Sequence, residues 1–376
     1  MAVTFRYARL DEYPQIAGFL DQYWAKNHIY VRDKKLFDWT FQRASHWEEP
    51  GYSFAMAEDG GGLVGILGGI PFSFNSFGTS ASGIWIANYV VRPDYRKGST
   101  ALQLLSVFRN LSRHAVVAFG INPATSAIYR VLRGEVLPYL PRRFALFPGA
   151  DERLEHLLAI GYPDWEAARG RALAGRFRLL AKRDGGVAHG ASLPEQWDRV
   201  DWPAIARQTI GASRDADYLR WRYLDHPRFA YRIVTVPEGE RTGLLVWRLE
   251  TIRRSVPEGR EDVDRIARIV ELLPASEENG RLLLAAALGE MQAAGALGAD
   301  FYGYHAGANR ALEEAGFLDC GSIEDGERLP SRFQPLDGKG GGILSAMFLK
   351  EAAPGFSPAD SAWYWTKSDS DQDRPN

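Results

Sequence analysis

Lys35-Leu36-Phe37-Asp38-Trp39-Thr40-Phe41 and Asp217-Tyr218-Leu219-Arg220-Trp221-Arg222-Tyr223 are two versions of one short aromatic helix pattern, and the chain around them repeats as well. Each is followed by an alternating segment, a glycine turn and a second alternating segment. These are Tyr52 to Ala57 then Leu63 to Leu67, and Tyr231 to Val236 then Leu244 to Trp247. Trp39 lies 57 positions before Arg96, and Trp221 lies 57 before Glu278. Trp39 lies 90 before Tyr129, and Trp221 lies 91 before Leu312. Equal spacing over a whole domain's length argues for internal duplication. The exchanges of Arg for Glu and Tyr for Leu imply that the second copy has lost a chemistry the first keeps.

A chain of 376 residues accommodates two domains of ordinary size. Its apolar content of 45%, with 12% aromatic residues, lets each half bury a core. A net charge of −2 gives no support for a nucleic-acid footprint, which needs clustered Lys and Arg. The single cysteine, Cys320, excludes an internal disulfide framework and fits a reducing cytosol. Met1 to Arg6 lacks the pattern of a signal peptide, and no apolar run is long enough for a membrane span. The expectation is a cytoplasmic protein with no membrane span and no nucleic-acid partner.

The coarse order is a strand at Thr4 to Arg9, helices at Asp11 to Trp24 and Lys34 to Ala44, and an antiparallel pair, Tyr52 to Glu58 and Leu63 to Phe77, joined at Asp59-Gly60-Gly61-Gly62. Then come a strand Gly83 to Val91, a helix Thr100 to Arg113, a strand Ala115 to Ile121 and a helix Thr125 to Leu132. A strand-like Arg143 to Phe147, a helix Asp151 to Ile160, a strand-like Phe177 to Ala181 and a glycine-rich Gly185 to Gly190 precede the second copy. Strand and helix do not alternate steadily, so a doubly wound dinucleotide fold is disfavoured. The fold class is α/β: a mixed, mostly antiparallel sheet with helices on both faces, twice over. We divide the chain into 1–150, a linker region 151–200, a second copy 201–350, and a C-terminal strand with a polar tail, 351–376. The ending Ser368 to Asn376 reads as a mobile tail.

The segment Val90-Val91-Arg92-Pro93-Asp94-Tyr95-Arg96-Lys97-Gly98-Ser99-Thr100-Ala101 lies between a buried strand and a helix. Backbone N–H groups at a helix N-terminus favour anions, and small residues let a phosphate come close. An ordinary capped helix start, with Ser99 or Thr100 as N-cap, accounts for the same residues.

This segment resembles the acyl-CoA loop of the GCN5-related N-acetyltransferase family, Arg/Gln-x-x-Gly-x-Gly/Ala. Arg96 and Ala101 match, Ser99 stands where the pattern has Gly, and Gly98 comes one place early. Asn122-Pro-Ala-Thr-Ser-Ala-Ile-Tyr129 resembles the family's Asn…Tyr segment after its fifth strand, and Asn309 to Phe317 resembles its closing Asn…Gly-Phe pattern. The resemblance implies tandem acyltransferase domains that use acetyl-CoA. It implies a cofactor set of Val90, Val91, Arg96, Lys97, Gly98, Ser99, Thr100, Ala101 and Asn122, with backbone N–H near Val90 or Val91 facing the oxyanion. Tyr129 is implied as the acid towards the departing thiolate. Asn88 is assigned a water-holding catalytic role, because the strand Gly83 to Val91 has no carboxylate where the family often keeps a base; His46, Glu48 and Glu49 are the other candidates.

Glu277 and Glu278 would meet a pyrophosphate with like charge, so the second copy is expected to be degenerate and to serve as scaffold or as half of an acceptor cleft. Tyr218 to Pro227 and the Asp-rich ending resemble tandem acyltransferases encoded with bacterial surface-polysaccharide genes. That resemblance implies a small-molecule amine acceptor, an amino sugar, nucleotide-linked or lipid-linked. Trp39, Trp47, Trp85 and Trp221 are candidate stacking platforms. No Cys/His pair has metal-ligand spacing. Two other classes stay open: a non-catalytic duplicated binding or scaffold protein, and a cell-wall transferase using aminoacyl-tRNA. The oligomeric state is not legible.

Overall fold

In the computed structural model, the described residues are 2–43, 46–110, 114–161, 199–238, 241–255, 261–322, 329–330, 332–333, 336–337, 342–350 and 362–375. The first half runs β1 (Thr4–Tyr7), α1 (Tyr13–Tyr23), α2 (Ile29–Arg32), α3 (Lys34–Phe41), β2 (Phe54–Asp59), β3 (Gly62–Ser76) and β4 (Thr79–Val91). It continues through α4 (Thr100–Arg109), β5 (Ala115–Phe119), α5 (Ser126–Val131), β6 (Glu135–Leu137), β7 (Arg142–Leu146) and α6 (Asp151–Gly161). From residue 199 the elements are α7 (Trp202–Gln208), β8 (Ile210–Ala212), α8 (Ala216–Leu219) running into a π-helical turn at Arg220–Leu224, β9 (Arg232–Glu238), β10 (Arg241–Ser255) and β11 (Glu261–Leu273). Then follow α9 (Glu277–Ala293), β12 (Gly298–Tyr304), α10 (Ala306–Glu314), β13 (Leu318–Asp319), β14 (Arg332–Phe333), β15 (Leu336–Asp337), β16 (Ser345–Leu349) and β17 (Trp363–Thr366). The expected strand Phe177 to Ala181 and the glycine stretch Gly185 to Gly190 lie outside the described residues.

Local chemistry fixes these elements. The β2–β3 hairpin closes through Gly60 (φ 61°) and Gly61 (φ 82°), two positive-φ positions that glycine fills without a Cβ penalty. Helix α3 starts where the Asp33 carboxylate accepts the Leu36 N–H at 3.1 Å. Along β4 the side chains alternate. Ile84 and Ile86 pack in one core with Leu104, Leu105 and Phe108 of α4. Trp85 and Ala87 join the opposite core with Tyr30, Phe37 and Trp365.

Among the described residues fifteen strands form one mixed sheet, in which the halves exchange β7 and β16, while β14 and β15 pair separately. β16 lies antiparallel between β5 and β6 of the first half. β7 lies antiparallel between β12 and β13 of the second. β8 and β17 join the two halves: β3 pairs with β8, β8 with β17, and β17 with β12.

The duplicated aromatic helices meet across the molecule. Trp39 and Trp221 stack at 4.9 Å, and each indole N–H donates to the other's backbone carbonyl, at 3.2 and 3.4 Å. Two of the four candidate platforms are thus used on each other. Trp85 and Trp47 are buried in the core, Trp85 stacked on Phe72 at 3.9 Å. Burial closes Trp47 and Trp85 to a sugar, and Trp39 and Trp221, half-buried, each spend a ring face on the other.

The ending is the largest departure from expectation. Ser368, Asp369 and Asp373 are buried rather than mobile. Arg214 donates to Asp369 at 2.9 Å, Arg248 to Asp373 at 2.6 Å, and Arg222 to the Ser368 carbonyl at 2.8 Å. Burial alone would raise the Asp373 carboxyl, but Arg248 holds it well below the ordinary carboxylate range. Buried charge survives only when paired in this way. The polar tail is therefore an internal strap.

Candidate functional site

The candidate site is a fork in the sheet. β4 and β5 run parallel from Gly83 opposite Ala115 to Ile86 opposite Ala118, and then they part. The cause is a bulge in β4: Ile66 of β3 faces Val90 and Gly68 faces Ala87, so Asn88 and Tyr89 together oppose Leu67. Asn88 has φ 51°, a left-handed conformation that Asn tolerates better than most residues. Its side chain is buried, and its Oδ1 has no hydrogen-bond partner among the described residues. Buried acceptors are paired as a rule, so Asn88 Oδ1 is the group at the bulge free to take a hydrogen bond from water or a ligand.

Beyond the bulge, the Arg92 N–H donates to the Val64 carbonyl at 2.9 Å. The alternation of an antiparallel ladder then turns Val90 towards β3 and Val91's backbone groups towards the fork. The Val91 carbonyl is taken by Arg96 Nε at 2.8 Å.

The loop from Pro93 leads to the N-terminus of α4. Arg96, Lys97, Gly98 and Ser99 are exposed, Thr100 is buried and Ala101 is half-buried. Ser99 holds the N-cap position, but its side chain makes no capping bond; its Oγ instead accepts Gln103 Nε2 at 2.7 Å. The first-turn N–H groups of α4 are thus left without a side-chain cap, as an anion site requires. Arg92 is neutralised by Asp94 at 2.8 Å, while no acidic side chain lies in α4's first turn.

Asn122 ends the approach to α5, its Oδ1 accepting the Ala124 N–H at 2.9 Å. Tyr129 of α5 is buried against Phe348 of the exchanged β16, and burial pushes its phenol up to about 12. Tyr89, absent from the sequence-based set, belongs to the same place. Its phenol is raised by burial and then by the nearby Tyr129, and its hydroxyl donates to the Ala101 carbonyl. It ties the bulge to the first turn of α4. The sequence signal was its position next to Asn88, which an alternating-strand reading treats as ordinary. Glu48 and Glu49 are exposed, and His46 is half-buried.

The second half has the same fork, filled. β11 and β12 last pair at Ile269 opposite Phe301. Just beyond, β17 takes up β12, with Gly303 opposite Thr366 and Tyr304 opposite Trp365. The Tyr364 hydroxyl accepts the Leu272 N–H at 3.1 Å and donates to Glu271 at 2.6 Å. Helix α9 is capped: Ser276 Oγ accepts the Asn279 N–H at 3.1 Å. Glu277 pairs with Arg310 at 2.5 Å and Glu278 with Arg281 at 2.7 Å. His305 caps α10 as Asn122 caps the first-half turn, and burial lowers its imidazole to about 4. Leu312 is buried on α10, with no hydroxyl to offer.

No family model matches the chain, and no curated protein does. Solved structures do. A GCN5-related N-acetyltransferase from Anabaena variabilis ATCC 29413 matches with a TM-score of 0.54 and 11% identity, over 93% of this chain and 73% of that one. Saccharomyces cerevisiae N-myristoyltransferase with bound myristoyl-CoA matches with a TM-score of 0.55 and 12% identity, over 96% and 83%. A conserved protein of unknown function from Enterococcus faecalis V583, a probable N-acyltransferase, matches with a TM-score of 0.53 and 13% identity, over 93% and 73%.

The chain has the N-acyltransferase fold. At these identities the likeness is one of architecture. Among the described residues no group of three or more His, Cys, Asp or Glu could hold a metal ion, and no helix is long and apolar enough to cross a membrane.

Proposed function

We propose that this protein is an acyl-CoA-dependent N-acyltransferase, an N-acetyltransferase in its simplest form, with one working site in the first half. The contrast between the forks carries the reading. The first combines an uncapped helix N-terminus, an orphaned Asn88 Oδ1 and a buried, protonated Tyr129; the second is occupied by the chain's own strand.

The residues divide the work as follows. Backbone N–H groups at Ser99 to Ala101, with Arg96 and Lys97, hold the pyrophosphate of the acyl-CoA. Gly98 leaves room at that loop. The Val91 N–H donates to the thioester oxygen and stabilises the oxyanion as the amine adds. Asn88 Oδ1 accepts a hydrogen bond from a water, and that water takes the proton released by the attacking amine and passes it to solvent. As the C–S bond breaks, Tyr129 gives its proton to the sulfur. The acceptor class rests on the sequence resemblance alone: an amino sugar, nucleotide-linked or lipid-linked, acylated in the cytoplasm during polysaccharide synthesis.

Calorimetric titration with acetyl-CoA tests the reading. One site per chain is expected, and Arg96→Glu should weaken it by about 1–3 kcal/mol. No binding, or two equivalent sites, overturns it. Release of free CoA thiol with a nucleotide-linked amino sugar then tests the acceptor.

A further inference from the structure

The buried C-terminal strap visits both forks. Six residues beyond Thr366, which fills the second, Gln372 reaches the first. Its Nε2 donates at 3.3 Å to the Phe119 carbonyl, the first on β5 past the last pair with β4. The same amide donates to Asp371 Oδ1 at 3.1 Å, and Asp371 is pinned in turn by Arg374 at 2.9 Å. Both amide hydrogens are therefore engaged, and the side chain is held from behind. The fit is tight: a Cβ added to Gly120 would sit 2.8 Å from both Gln372 amide heteroatoms.

The two faces of the fork differ. Helix α4 and Tyr129 pack on the face of Ile86 and Ala118. Phe119 belongs to the opposite face, where Trp365 meets its ring edge-on at 5.6 Å. A thioester whose phosphates lie on α4 enters from the first face, and its acyl group emerges towards the second.

We propose that Gln372 closes the acyl end of the first fork and restricts the enzyme to short acyl chains. The proposal rests on the acyl-CoA reading of that fork. Acyl-chain length is then set by a residue of the strap that follows β17, not by the acyltransferase core. A rigid amide at the exit must be displaced by each added methylene, whereas acetyl fits in front of it.

The test is calorimetric affinity for free CoA, acetyl-CoA, butyryl-CoA and hexanoyl-CoA, measured on the full chain and on Gln372→Ala. The unaltered protein should bind hexanoyl-CoA at least about tenfold more weakly than acetyl-CoA. Gln372→Ala should bring the two within about threefold while leaving free CoA unchanged. Gln372→Met, of similar length, should keep the discrimination, and Gln372→Ser should repeat the alanine result with a polar group retained. Unchanged free-CoA affinity serves as the check on folding. An unaltered hexanoyl-to-acetyl ratio in both shortened variants overturns the proposal and leaves the acyl-CoA site standing. A gain for free CoA as large as for hexanoyl-CoA also overturns it, because Gln372 would then obstruct pantetheine and not the acyl group. Failure of every CoA species to bind overturns the site itself.

Discussion

At the scale of the residue, Tyr129 decides between packing and chemistry. Its ring fills a core with Leu104, Leu105 and Phe108, and Phe348 covers it. Burial raises its phenol to about 12, so it is protonated at neutral pH and available as a donor. Phenylalanine keeps the shape and removes only the hydroxyl. Tyr129→Phe should therefore melt like the parent and keep its affinity for CoA, yet turn over about 10²-fold more slowly. Unchanged turnover would return Tyr129 to a packing role. The start of α4 after the 92–99 loop was legible in the sequence because charge, small size and a helix start are local properties, whereas Tyr129 entered through the family resemblance alone. The conformation of Asn88 was not. One extra residue in a strand leaves the run of apolar letters intact while it turns a backbone to φ 51° and parts two strands. Tyr89 escaped for the same reason.

At the scale of the element, β17 shows how a fork in the sheet is closed by the chain's own strand. It adds to β12 where β12 has lost β11, and its Tyr364 hydroxyl satisfies the Leu272 N–H together with the Glu271 carboxylate. Tyr364→Phe leaves both groups in place, buried and short of a partner. The expected cost is about 1–3 kcal/mol in urea unfolding, the desolvation penalty of an unmet buried group. The variant should still bind one acetyl-CoA, since Trp363 and Trp365 remain fully buried and continue to hold the strand. A loss too small to measure would mean that water reaches Leu272 and that this fork is looser than its geometry implies. Pattern reading found α1, α3, α4, α5 and α6, the β2–β3 hairpin and the mostly antiparallel character of the sheet, because their periods are written in adjacent residues, and it passed over α2, α7, α9 and α10. It misread the ending for the opposite reason. Ser-Asp-Ser-Asp-Gln-Asp describes a solvated tail unless Arg214, Arg222 and Arg248, more than a hundred positions away, are known to surround it.

At the scale of the molecule, the repeat in the sequence corresponds to two forks, the first reached by Gln372 and the second filled by β17, and to a reciprocal Trp39–Trp221 contact between halves. The exchange of β7 and β16 makes the halves interdependent. Apart from Gln372, residues 1–150 hold every group assigned to the acyl-CoA site, so by sequence they would be expected to bind acetyl-CoA without the second copy. In the fold that piece lacks β16, and the facing edges of β5 and β6 would be bare. It also lacks Trp365, which meets Phe72 edge-on at 6.2 Å beside the Phe72–Trp85 stack and packs in the same core. Its own β7 would have no β12 to join. Uncovering aromatic side chains such as these costs roughly 1.5–3 kcal/mol each. Two or three such losses consume much of the about 5–15 kcal/mol that holds a domain folded. Residues 1–150 alone should therefore show no cooperative thermal transition by circular dichroism and no acetyl-CoA binding. Co-expression with residues 151–376 should restore both, because the exchanged strands can then pair in trans. A 1–150 fragment that melts cooperatively and binds acetyl-CoA would show that the exchange is dispensable, and that the first half closes its sheet with its own β7.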